Sequence, residues 1–98
     1  MTIVRHVIVR GRVQGVGYRM WVEDTAERLG LQGWVRNQRD GSVEAVFAGS
    51  EEAVAAAIEA CRGGPRSAQV EAVEARDGGA DLLAQRHSGE QFSVLRTA

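Results

Sequence analysis

Between Gly11 and Arg19 the chain reads GRVQGVGYR, three glycines in nine residues closed by an arginine. A simple turn needs one glycine; this many point to a backbone that something approaches closely. Successive N–H groups in such a loop can converge on one point, and a helix starting there adds partial positive charge, so the chemistry suggested is anion binding. Arg19 favours that reading, because a cation at a helix N-terminus opposes the dipole unless an anion lies there too. Its planar fork of donors suits a phosphoryl group. Several familiar cradles are excluded. Gly15 and Gly17 would open a GxGxxG dinucleotide pattern, but Met20 stands where the next glycine is required. No GK[ST] occurs, and lysine is absent from the chain. A phosphatase loop with a nucleophilic cysteine would place it six residues before Arg19, where Val13 stands, so no phosphocysteine can form. What remains is a cradle without a nucleophile: the N–H groups of Gln14, Gly15, Val16, Gly17, Tyr18 and Arg19, with the Arg19 side chain. A plain β–α turn with a solvated Arg19 is the alternative reading of the same spacing.

The loop requires a strand before it and a helix after it. Val7, Val9 and Val13 alternate with His6, Ile8, Arg10 and Arg12, which predicts a strand with one buried face. Tyr18, Val22, Ala26 and Leu29 recur at helical spacing, with Gly30 where a C-cap belongs. GWVRN is a second strand, Asp40-Gly41 a hairpin signal, and Val43, Ala45 and Phe47 mark a third strand by alternation. Ser50 caps a second helix, Glu51 and Glu52 suit its dipole, Val54, Ile58 and Cys61 share its inner face, and Gly63–Pro65 stop it. SAQVEAVEA is a further strand, RDGGADLLAQRHSGE is loop-like or weakly helical, and QFSVLR closes as a strand. The order βαββαβ with an extra terminal strand predicts an α+β, ferredoxin-like split βαβ sandwich: an antiparallel sheet of four to five strands with both helices on one face.

Composition narrows the function classes. Ninety-eight residues suit a single domain spanning 1–98. A formal charge of -1 supplies no overall field for nucleic acid or acidic membrane, so neither is expected as a partner. The absence of lysine excludes Schiff-base chemistry. Cys61 is the sole cysteine, which excludes an intrachain disulfide and a cysteine metal cluster. The N-terminal apolar run carries charges and is too short for a signal peptide or a span, so a cytoplasmic location is expected. His6 and His87 are expected at the surface, Cys61 and Tyr18 in the core, and Trp21 at the core or its edge. No metal or other cofactor is expected.

GRVQGVGYR matches the pattern G-x-V-Q-G-V-x-[FY]-R, and GWVRNQRDGSVEAVFAG, Gly33 to Gly49, matches G-[FYW]-[AV]-x-N-x-x-x-G-x-V-x-x-x-x-x-G at every fixed position. On these motifs the chain resembles the acylphosphatase family, over nearly its whole length. The resemblance implies the ferredoxin-like fold and a metal-independent hydrolase. Its substrates would be small acyl phosphates, split to a carboxylate and inorganic phosphate. It also implies that Arg19 binds the phosphoryl oxygens together with the loop N–H groups and that Asn37 positions the attacking water. Read without the family, Asn37 is an ordinary turn residue at a strand end, and Gln14 shapes the loop. Gly17 stands where many members carry a larger side chain. A free-standing, monomeric enzyme is expected; the alternative is a module of the same fold that binds the phosphorylated ligand without hydrolysing it. An RNA-binding module would display basic and aromatic residues on its central strands, and VIV and VEAVFA do not.

Overall fold

A computed structural model describes residues 1–98. The elements are β1 (Thr2–Arg12), α1 (Tyr18–Arg28), β2 (Gln32–Asn37), β3 (Val43–Ser50), α2 (Glu51–Gly63), β4 (Gln69–Asp77), a short 3₁₀ helix (Ala80–Gln85) and β5 (Phe92–Val94). They form one sheet in the order β4-β1-β3-β2-β5. β1 pairs antiparallel with β3 and β4, and β2 antiparallel with β3. β5 is the exception to the expected antiparallel sheet. It runs parallel to β2, with Gly33 opposite Phe92 and Val35 opposite Val94. The antiparallel expectation treated β5 as one more meander strand. Instead the chain crosses the sheet from β4 through the 3₁₀ helix and arrives at the far edge in the direction of β2.

The helices cover one face, as the apolar alternation requires. Val7 and Val9 of β1 meet Ala45 and Val43 of β3, and this layer packs on Tyr18, Val22 and Ala26 of α1 and Val54, Ala57 and Cys61 of α2. Ser50 caps α2 by accepting the Ala53 N–H at 3.1 Å. α1 ends with Gly30 N–H donating to Glu27 O and Leu31 N–H to Ala26 O, the paired bonds of a Schellman motif. At Gly33 a Cβ would lie 1.8 Å from the Val46 carbonyl oxygen, so β2 and β3 can approach only because that side chain is missing.

The opposite face is partly covered as well. Trp34, Val46 and Leu95 form a second buried cluster, packed by Val4, Leu82 and Leu83, and the Trp34 indole N–H donates to Leu82 O at 2.7 Å. β3 is therefore buried on both faces from Val43 to Ala48, although its sequence alternates visibly on one. Glu44, 8% exposed, accepts from Arg36 Nε and contacts His6 Nε2, each at 2.6 Å. That corrects the expectation for His6, which is half-buried against a carboxylate. His87 does lie at the surface, 3.0 Å from Glu90. No helix is long and apolar enough to cross a membrane.

Candidate active site

Between the end of β1 and the start of α1, none of the backbone N–H groups from Gln14 through Met20 finds an acceptor within the chain. Residues Gly15 (φ +73) and Gly17 (φ +79) take the left-handed conformation, and a Cβ at either would meet nothing within 4 Å. The glycines are thus required by backbone conformation, which turns consecutive N–H groups to one side, and not by crowding. Gly17 occupies the N-cap of α1 without any side-chain cap, and no acidic residue sits in the first turn. Free N–H groups and the positive end of the helix dipole are left facing the same space.

Arg19 enters from the first turn of α1. Its Nη1 donates to Leu95 O at 3.3 Å, and it belongs to none of the ion pairs of the chain, although Glu23 lies one turn along. A carbonyl holds the guanidinium without neutralising it. Asn37 is the last residue of β2, paired with Val43, and its side-chain amide has no partner in the chain. A cavity of about 170 Å³ joins these groups: Gly15, Gly17, Arg19 and Asn37 line it over a floor of Val13 and Tyr18, with Met20 alongside. Arg19 and Asn37, far apart in sequence, therefore share one pocket.

The loop and the hairpin are tied together by Gln14. Its Nε2 donates to Gln38 O at 2.7 Å and to Ser42 O at 2.8 Å, both just beyond Asn37. The Gln14 side chain points away from the pocket, as does Val16, whose carbonyl accepts from Ser67 Oγ at 3.1 Å. The hairpin loop is internally braced. Ser42 donates from both N–H and Oγ to Asp40 Oδ1 and approaches Gln38 Oε1 at 2.8 Å. These bonds, led by the Ser42 hydroxyl, hold the Asp40 carboxyl below its ordinary range. On the other flank the segment after β5 is stitched to β2: Leu95 N–H donates to Val35 O, Ala98 N–H to Asn37 O, and Arg39 N–H to Ala98 O. Sequence reasoning missed both ties. Gln14 is inside a motif it recognised, but the partners of its side chain are backbone carbonyls, which leave no trace in residue type.

The remaining candidates are inert. Tyr18 is buried with its hydroxyl donating to Cys61 O at 2.7 Å, and burial raises its pKa far above the ordinary value. Cys61 is buried and its thiol is pushed up to about 11, chiefly by desolvation, so no thiolate is available. Trp21 packs at 5.5 Å on Tyr18. No group of three or more His, Cys, Asp or Glu gathers anywhere in a way that could hold a metal ion. A larger cleft between the helices, about 330 Å³ and lined by Trp21, Leu29, Ala56 and Ala60 with Thr25 and Arg28, lacks the convergent donors of the small pocket.

A two-layer α/β sandwich carrying an N–H cradle, one unneutralised arginine and one unpartnered amide is an anion site of the kind used in phosphoryl chemistry. The comparisons with known proteins place it more narrowly. Residues 5–88 match the acylphosphatase family model. An acylphosphatase of Rhodopseudomonas palustris (strain BisB5) is 57% identical over 96 residues, covering 98% of this chain and 97% of that protein. One from Bradyrhizobium diazoefficiens is 56% identical over 94 residues, covering 96% and 95%. Among solved structures, an acylphosphatase from Coxiella burnetii superposes with a TM-score of 0.84 at 33% identity, over 96% of this chain and 93% of that one. The chain belongs to the acylphosphatase family of hydrolases.

Proposed function

We propose that the protein hydrolyses acyl phosphates by direct attack of water on phosphorus, with Arg19 and the loop N–H groups binding the phosphoryl oxygens and Asn37 orienting the water. The observation that carries this reading is the shared pocket. It sets a cluster of unbonded N–H donors and an unneutralised guanidinium opposite an amide with no other partner. The leaving carboxylate has a pKa of about 4 and departs without a general acid. The transition state spreads negative charge over the equatorial oxygens, so fixed donors do most of the work. An amide can accept from the water and donate to the phosphoryl group, which a purely cationic site cannot do. In the balanced step, a water oxygen bonds to phosphorus, the bond from phosphorus to the bridging oxygen breaks towards the carboxylate, and the water's proton leaves to solvent or the product phosphate.

No covalent intermediate is needed. The pocket-lining side chains include no serine, cysteine, histidine or acid, and the hydroxyl of Tyr18 is turned to Cys61 O. The donor set likewise offers no metal site, so the reaction is proposed to run on protein groups alone. End-to-end matching of relatives supports one functional unit over 1–98, and a cytoplasmic monomer is the form proposed to act. The non-catalytic module remains the competing reading, and Asn37 argues against it, since binding alone gives no work to an amide for water. The test is hydrolysis of benzoyl phosphate in excess EDTA. Wild type should turn over; Arg19→Ala should lose activity and phosphate inhibition together, with kcat/KM down on the order of 10²–10³-fold. Asn37→Ala should lose turnover and keep phosphate inhibition. A folded wild type without turnover overturns the enzymatic reading.

A further inference from the structure

Only Met1 and Met20 among the large apolar side chains stand well exposed, and Met20 does so at the pocket. It follows Arg19 in the first turn of α1 and lines the cavity while leaving 71% of its surface to solvent. The other apolar lining residues, Val13 and Tyr18, are each 1% exposed and form a floor that can neither move nor present much area. The polar donors of the pocket are committed to one end, the loop and Arg19. A ligand whose phosphoryl group is seated there must lead its remaining atoms outward past the rim.

On this geometry we infer that Met20 is a specificity-determining residue: its thioether folds over the acyl part of the substrate and selects acyl phosphates with an apolar or aromatic acyl group over small or charged ones. The inference rests on the hydrolase reading proposed above and narrows its substrate class. Methionine suits the task because an unbranched, polarizable side chain adapts to groups of different shape and makes favourable contacts with aromatic edges. No carboxylate lines the cavity that would repel or order a charged acyl group, and no polar side chain besides Asn37 and Arg19 is there to hydrogen-bond one. The contact is with a part of the substrate that does not change in the reaction. It therefore strengthens ground state and transition state alike and should appear in KM, not in kcat.

The experiment measures kcat and KM for benzoyl phosphate and for acetyl phosphate, with inorganic phosphate as inhibitor, in wild type, Met20→Ser, Met20→Glu and Met20→Leu. Expected is a benzoyl-over-acetyl preference in kcat/KM that falls roughly 10-fold in Met20→Ser, the low end of what one methylene-sized apolar contact is worth, as suits an open rim. The loss should be greater in Met20→Glu and absent in Met20→Leu. The change should lie in KM for benzoyl phosphate, with kcat and phosphate inhibition unaltered in Met20→Ser and Met20→Leu. A preference unchanged in Met20→Ser overturns the inference while leaving the hydrolase reading intact. A fall in kcat on both substrates in Met20→Ser, with the ratio constant, assigns Met20 to loop packing and also overturns it. Wild type inactive on both substrates refutes the underlying function instead, a result these variants cannot mimic.

Discussion

Gln14→Ala separates positioning from binding more cleanly than any change inside the pocket. The substitution removes two hydrogen bonds, at 2.7 and 2.8 Å, that link the cradle loop to the hairpin carrying Asn37. Neither acceptor is left alone: Gln38 O still receives the Gly41 N–H, and Ser42 O the Gln38 N–H. Without an orphaned carbonyl the loss stays near that of two ordinary bonds, ~2 kcal/mol. In a domain of this size that lowers the melting midpoint by roughly 10 °C. The kinetic effect should be larger than the stability loss alone would suggest. A shift of Asn37 by about 1 Å relative to a phosphoryl group seated in the loop can cost on the order of 10²-fold in rate. The assay is kcat on benzoyl phosphate, the inhibition constant of phosphate and the thermal midpoint, taken on one preparation. We expect kcat to fall 10- to 100-fold and phosphate inhibition to stay within about twofold, because the loop N–H groups and Arg19 keep their own supports. A lowered midpoint with wild-type kcat would refute the reasoning, making the bridge purely structural. Inhibition that weakens in step with kcat would refute it differently, showing that the loop and not the hairpin had moved.

Other substitutions test the scaffold. Gly33→Ala drives a Cβ to 1.8 Å from Val46 O at a φ of +145; it should cost more than ~3 kcal/mol and yield no cooperative unfolding transition, and a midpoint within a few degrees of wild type would contradict the close approach of β2 and β3. Gly17→Ala meets open space and only a left-handed φ of +79, so it should fold with a loss of ~1 kcal/mol, read as a small drop in urea midpoint. Asp40 is held below its ordinary pKa first by the Ser42 hydroxyl, then by the Ser42 N–H and Arg10. A lowered folded-state pKa means its contribution is present above about pH 4 and is lost as the pH falls through the folded value. Asp40→Asn should therefore lower the urea midpoint at pH 7, and its difference from wild type should shrink steadily as the pH is taken below about 4.

The sequence disclosed those features whose physics is local. Alternating valines located β1, the Ser50 cap and the two following glutamates opened α2, and the glycine spacing marked the loop before any tertiary contact was considered. What stayed hidden depends on partners distant in the chain. β5 is three residues long, and nothing within them specifies a parallel neighbour. The second face of the sheet was unreadable because its cover is assembled from Leu82 and Leu83 of a 3₁₀ helix, Leu95 beyond β5 and Trp34, no two elements of which form a periodic pattern. His6 looked like an exposed strand residue because Glu44, its partner, lies 38 positions away on a strand whose apolar alternation pointed to the other face. At the pocket, the motif singled out Arg19 and Asn37, which both line it, and the ties made by Gln14, Leu95 and Ala98 had to be seen, since each ends on a main-chain atom.

The stitching of the segment after β5 onto β2 gives the pocket a place in time. Arg19 is steadied by a residue 76 positions later, and the backbone of Asn37 by Ala98. A chain emerging from the ribosome at ~5–20 residues per second presents its N–H cradle early and spends seconds without the edge strand that completes its surroundings. Contacts of such long sequence separation also close late when the whole chain refolds from denaturant. Helical signal and burial of Trp21 can return while β4, in the eighth decade of residues, is still finding the sheet; on the proposed site, turnover waits for the tenth. Turnover is thus the signal expected to recover last on refolding, behind any probe that does not require the segment from Phe92 to Ala98.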